Sequence, residues 1–416
     1  MTELPFGFQP DDSGEPNPLA SLFGAAGSQD LGAMFSQLGR MLSNPVEGPV
    51  HWELARDTAR QALAAVGDPS VTPTETTATV EALRLAELWL DAVTAWPSGV
   101  GQHLAWSRSE WIEQTLPQWR SLVEPLASRV ADASAQAVPD EVRTMAGPLL
   151  GLMSQMSGAM FGSQVGQGVA ALAAEVVGST DIGLPLAADG QAVLLPGNVA
   201  AFGEGLGLPV DEVRLYLAVR EVAHLRLFHH APWLASRIRS AVDDYARGIS
   251  IDTSAIESAL GGVDPSNPQA LQDIMTSGVF EPPTTADQVA ALGRLETVLA
   301  LVEGWVDVVT YAATDGRLPA AAALRETLRR RRASGGPAET TFATLVGLQL
   351  RPRRLRDAAQ LWVALENAQG AAGRDAVWDH PDLLPATEDL DAVDDFVARR
   401  TDGEAPLDLS SLDDPE

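Results

Sequence analysis

Apolar positions recur at spacings of three and four through most of the chain, which predicts a mainly α-helical protein. The pattern opens at Trp52 and runs to Leu63. It repeats over 76–96 through Val80, Leu83, Leu85, Leu88, Trp89 and Val93. A third helix opens at Ser109, with Pro117 predicting an interruption before Trp119, Leu122 and Val123. Residues 145–177 read as an apolar helix, and 184–198 as a break followed by one short strand, 192–195. Helices follow over 210–230, 233–247, 284–313, 318–332 and 355–368, with Pro232 placed to start the second of these. Aromatics at helical spacing, including six of the ten Trp between Trp52 and Trp119, read as core.

The ends differ from the middle. Residues 1–45 mix Pro, Gly, Asp and Ser and read as a disordered tail with one apolar stretch, 31–42. From Arg374 onward fourteen acidic residues face three basic ones, so 374–416 reads as an acidic, disordered tail. Between them, 46–373 is expected to form one domain, with 46–140 as its helical N-terminal part.

Composition narrows the chemistry. The net charge of −28 argues against general nucleic-acid binding, which needs positive surface to displace phosphate counterions. All 28 basic residues are Arg, so Schiff-base and P-loop lysine chemistry is excluded. Cysteine is absent, which leaves only His, Asp and Glu to hold a metal. The first residues lack a basic segment followed by an apolar run, so a cytoplasmic location is expected. The best candidate span, 156–178, is interrupted by Gly158, Gly162, Gly166 and Gly168. It reads as a buried helix that packs closely, with a membrane-associated module as the alternative. Gly162–Gly168 lacks the strand–turn–helix setting of a phosphate cradle, and no Gly-x-Ser-x-Gly elbow stands on a strand. The arginine islands at 329–332 and 351–356 read as helix-end charges and salt-bridge partners.

One constellation carries candidate chemistry. Arg220-Glu221-Val222-Ala223-His224 is the zinc-protease pattern His-Glu-x-x-His with its first letter changed. Positions i and i+4 lie about 40° apart on a helix, so two side chains there reach one ion. Glu221 stands where the general base belongs and His224 where a ligand belongs. Glu303 and Asp307 repeat the i, i+4 spacing on a second, apolar helix. Such a pair supplies one class of zinc peptidase with a metal carboxylate and an acid that orients the first His. Arg220 has no free lone pair and cannot bind zinc. His229 and His230 lie about 140° and 240° round from His224, and substitute only if the helix breaks near Phe228.

Over 48–368 the chain resembles the uncharacterised zincin-like metallopeptidase family of high-GC bacteria, one branch of which is labelled as associated with coenzyme F420 biosynthesis. The resemblance is carried by Gly48-Pro-Val-His-Trp-Glu-Leu-Ala-Arg56, Glu110-Trp-Ile-Glu113, Thr115-Leu-Pro117, Val193-Leu-Leu-Pro-Gly-Asn-Val199, the 220–234 segment and Val302-Glu-Gly-Trp305. It implies a zincin-like helical domain with a small β element. By position it also implies Glu221 as general base, with His224 and Glu303 as the second and third zinc ligands. The first ligand does not carry over, because Arg220 occupies its place. The reading preferred from the residues is therefore a metal-free pseudo-enzyme that binds a peptide or protein partner. In it Arg220 forms a forked ion pair with Glu303, shared with Glu221 or Asp307. The alternative is an active zinc peptidase using Glu221 and a nonstandard ligand.

Overall fold

The computed structural model describes residues 48–136, 147–248, 285–333 and 354–402. The expected tail at 1–45, the second arginine island up to Arg353 and the last residues of the acidic stretch lie outside them. Within them the protein is mainly α-helical with a two-stranded sheet.

Helices α1 (Trp52–Val66) and α2 (Pro73–Leu90) open the fold. The Thr72 hydroxyl accepts from the Glu75 amide and the Glu75 carboxylate accepts from the Thr72 amide, a capping box that satisfies two orphan donors. Strand β1 (Gln102–Ala105) follows, then α3 (Arg108–Gln136) and α4 (Gly147–Glu175). The interruption predicted at Pro117 does not occur, and α3 runs through both Pro117 and Pro125. Trp111, Ile112, Trp119, Leu122 and Val123 are buried along it, and their packing offsets the ~3 kcal/mol a mid-helix proline costs.

The glycines of α4 have a packing role. A methyl on Gly162 would stand 2.5 Å from the His51 carbonyl oxygen, and one on Gly166 would strike the Ala55 carbonyl. Their bareness lets α4 lie directly on α1. Among the described residues no helix is long and apolar enough to cross a membrane.

Strand β2 (Gln191–Leu194) begins one residue before the expected 192–195 and pairs in parallel with β1, His103 opposite Ala192 and Leu104 opposite Val193. The sequence gives little sign of β1, whose Gln102 and His103 break the apolar pattern inside a region that reads as helical throughout. On its other side β2 meets the chain that leaves α4: Gly178 bridges antiparallel to Leu194, and the Leu195 amide donates to the Val177 carbonyl at 2.9 Å. Helix α5 (Pro196–Gly203) starts straight after β2.

Helix α6 (Val210–His230) is buried on all sides from Tyr216 to Phe228, charged residues included. α7 (Trp233–Arg247) packs against α3 and α8 (Ala286–Thr314), and α8 packs beside α6. α8 is buried continuously from Ala300 to Thr310. At Gly304 it passes so close to α10 (Leu355–Asp375) that a methyl would stand 2.8 Å from the Ala358 Cβ. Between them in sequence comes α9 (Ala321–Ala333), which carries the arginine run.

The acidic segment expected to be disordered from 374 instead continues the fold to Asp402. Short 3₁₀ turns lead to α11 (Val393–Asp402), and Val377, Trp378, Leu390 and Phe396 are buried against the core. A few apolar anchors outweigh the acidic composition. Arg374, at the supposed boundary, is buried between Glu366 and Asp375.

Candidate functional site

Arg220, Glu221 and His224 sit mid-way along α6, and Glu303 and Asp307 mid-way along α8; each of the five is at most 6% exposed. Two charged helices face each other inside the core, so every charge needs a partner.

Arg220 Nη2 donates to Glu303 Oε2 at 2.8 Å. The contact is single rather than forked, and the second nitrogen pair on Glu303 comes from a residue the sequence reading did not place here. Arg332, from the end of α9, lies 3.1 Å from Glu303 Oε1. The same oxygen is 3.1 Å from His224 Nε2. His224 Nδ1 lies 2.9 Å from the Arg220 carbonyl oxygen, so both ring nitrogens face oxygen atoms. Burial alone would push the Glu303 carboxyl up, but Arg332, His224 and Arg220 together hold it far below the usual carboxylate range.

Glu221 is not part of this pair. Its Oε1 accepts from the Ser179 amide at 3.1 Å, the Ser179 hydroxyl and the Val193 amide at 3.2 Å. Its Oε2 accepts from the Thr180 amide at 3.1 Å and the Thr180 hydroxyl at 2.6 Å. Five donors from the chain between α4 and β2, and from β2 itself, therefore close on one carboxylate. Burial pushes this carboxyl above its ordinary range, and the five donors pull against it. Gly178 makes the approach possible: a methyl there would stand 2.5 Å from Glu221 Oε2.

Asp307 also departs from expectation. It touches neither Arg220 nor His224 in any hydrogen bond of the described residues. Instead it takes two guanidinium groups from α9, Arg325 at 2.7 Å and Arg329 at 2.6 Å. The arginine island at 329–332 supplies salt-bridge partners: Arg329 on Asp307 and Arg332 on Glu303 and Asp181 inside the core, Arg330 and Arg331 on the partly exposed carboxylates of Glu326 and Glu175. His229 and His230 do not reach the site. The His230 ring stacks on Trp96 with centroids 4.1 Å apart, and the His229 ring lies against Gly99.

The fold of this pairing of helices has known counterparts. The family model described as "Zincin-like metallopeptidase" matches residues 50–397. The chain belongs to the zincin-like metallopeptidase family. That match extends past 373, in keeping with the folded segment that ends in α11. A crystal structure from Chloroflexus aurantiacus, described as a "putative hydrolase with a novel fold", superposes with a TM-score of 0.62 at 19% identity. The alignment covers 86% of this chain and 100% of that one, a likeness of fold. No curated protein matches the chain.

Zinc, the family's usual metal, does not fit the residues this zincin-like chain offers. Among the described residues no group of three His, Asp or Glu could hold a metal ion. Of the five site residues, His224 and Glu303 are the adjacent donors, and the Nε2 of the first already faces the carboxylate of the second. A zinc site takes three protein ligands plus water, and here guanidinium groups stand beside both Glu303 oxygens.

Proposed function

We propose that this chain is a metal-free, non-hydrolytic member of the zincin-like metallopeptidase family, a pseudo-enzyme that works by binding a peptide or protein partner. The observation that carries the reading is the engagement of Glu221. A general base needs a free lone pair aimed at a water, and both oxygens of this carboxylate are taken by five donors of the protein itself. Glu221 then serves as an anchor that ties α6 to β2 and to the chain leaving α4. Glu303, the would-be metal carboxylate, is neutralised by arginine. The fold is kept by ion pairs where its relatives' name implies a metal centre. A cytoplasmic location goes with this reading.

Elemental analysis of protein purified without chelator or metal-affinity resin tests it. The expected result is no stoichiometric metal, together with a melting temperature that excess chelator leaves unchanged. About one zinc per chain, with cleavage of a peptide library that is lost in Glu221→Gln, would establish the active zinc peptidase instead.

A further inference from the structure

We propose that Arg332 is the second half of a two-guanidinium replacement for a divalent metal, so that two residues, not one, keep this site from holding zinc. The inference rests on the metal-free reading above and names what enforces it.

The sequence points to Arg220 alone, because only Arg220 stands in the ligand motif. The structure places a second cation on the other oxygen of the same carboxylate. Arg220 Nη2 lies 2.8 Å from Glu303 Oε2 and Arg332 Nη2 3.1 Å from Glu303 Oε1. Both side chains are buried. Together they carry the same charge as one zinc ion, on the one carboxylate that the zinc would use.

Arg332 also lies on the oxygen that faces His224. An ion shared by His224 and Glu303 would lie by His224 Nε2 and Glu303 Oε1, and Arg332 already shares that oxygen. It is fixed there from behind, since Arg332 Nη2 donates to the Asp181 carbonyl at 2.5 Å and lies 3.5 Å from Asp181 Oδ1. Asp181 belongs to the same turn as Ser179 and Thr180, which hold Glu221. One short stretch of chain therefore positions the arginine and engages the would-be base.

The consequence is specific. Arg220→His completes His-Glu-x-x-His and puts two imidazoles on one face of α6, about 40° apart. It leaves Arg332 on Glu303, and a buried guanidinium repels an incoming dication strongly at that range. Arg220→His alone should bind zinc poorly, and Arg220→His/Arg332→Gln should bind it well. The glutamine removes the charge while keeping a polar side chain.

The test uses the full chain in four forms: wild type, Arg220→His, Arg332→Gln and the double variant. Each is titrated with zinc against a competing chelator and followed by thermal shift. The expected result is about one zinc on the double variant, bound at least about ten-fold more tightly than on Arg220→His, with a zinc-dependent rise in melting temperature. Equal affinity in Arg220→His and the double variant would overturn the role of Arg332 and leave the metal-free reading of the wild type standing. A folded double variant that takes no zinc would also overturn it. Zinc on the wild type would instead sink the metal-free reading. If the double variant does not fold, a cycle of Arg332→Gln and Glu303→Gln in the wild type decides, because the proposal requires the two losses to be non-additive. Additive losses would overturn it.

Discussion

Arg220 and Glu303, 83 residues apart, meet through a single 2.8 Å contact between Nη2 and Oε2 in the middle of the core. The pair joins α6 to α8 where the motif of a zinc peptidase would place an imidazole and a metal. Both groups are buried, so removing Arg220 leaves Glu303 Oε2 without its donor, while Oε1 keeps Arg332 and His224.

Arg220→Ala should therefore destabilise the fold by about 1–3 kcal/mol, the cost of one unsatisfied buried carboxylate oxygen, because Arg332 and His224 still hold the other. Urea denaturation of wild type and variant measures the difference. A loss below about 1 kcal/mol, typical of an exposed pair, would mean that Arg220 is not holding the core together.

Glu221 should behave as a structural residue. Glu221→Ala leaves five donors facing a cavity and should cost about 3–5 kcal/mol. Glu221→Gln should also destabilise, by about 1–3 kcal/mol, since the new amide NH₂ meets amide donors on whichever side it points. A general base facing a water would tolerate the glutamine with its stability intact. The two cases separate in a thermal melt before any substrate is known.

The acid side of the stability profile should report Glu303. Its folded-state pKa is depressed, so the contribution is fully present above the unfolded value near ~4.3 and is lost as the pH falls toward the lower folded value. The stability gap between wild type and Glu303→Gln should be constant above about pH 6 and shrink steadily below about pH 4. Glu221 shifts the other way, and since both proteins keep it, its effect largely cancels in the comparison. A gap that does not depend on pH would show that Glu303 contributes by packing and not by charge.

Gly178→Ala should cost about 1–3 kcal/mol, because the added methyl would lie 2.5 Å from Glu221 Oε2 and 2.8 Å from the Val193 carbonyl. Gly197→Ala provides the control, since its φ, like that of Gly178, lies outside the left-handed region and nothing lies within 4 Å of the new Cβ. Equal losses at both sites would argue against crowding around Glu221.

The helices were legible because their apolar spacing is local, and so were the pairs Arg220/His224 and Glu303/Asp307, which share helix faces at i, i+4, with Glu221 beside the first pair in the motif. What each of them touches was not legible. Glu221 finds its donors 28 to 42 residues away, in segments with no motif of their own. Asp307 was expected near Arg220, yet Arg325 and Arg329, one helical turn apart, present two guanidiniums to it. The useful signal was the arginine spacing itself: three of the residues at 325–332 recur on one side of α9, the pattern of a charged face seeking buried acids. The acidic C-terminal stretch misled for a related reason, since composition averages over Trp378 and Phe396 and hides the few residues that dock it.

Strand β2 is flanked by β1 on one side and by the Val177–Gly178 stretch on the other. An incoming extended peptide binds many proteins by joining a free sheet edge, where main-chain groups read it without regard to its sequence. Along Leu194–Leu195 that seat is filled by the protein's own backbone. At Leu194–Leu195 the sheet can take up another strand only if the Val177–Gly178 backbone first lets go.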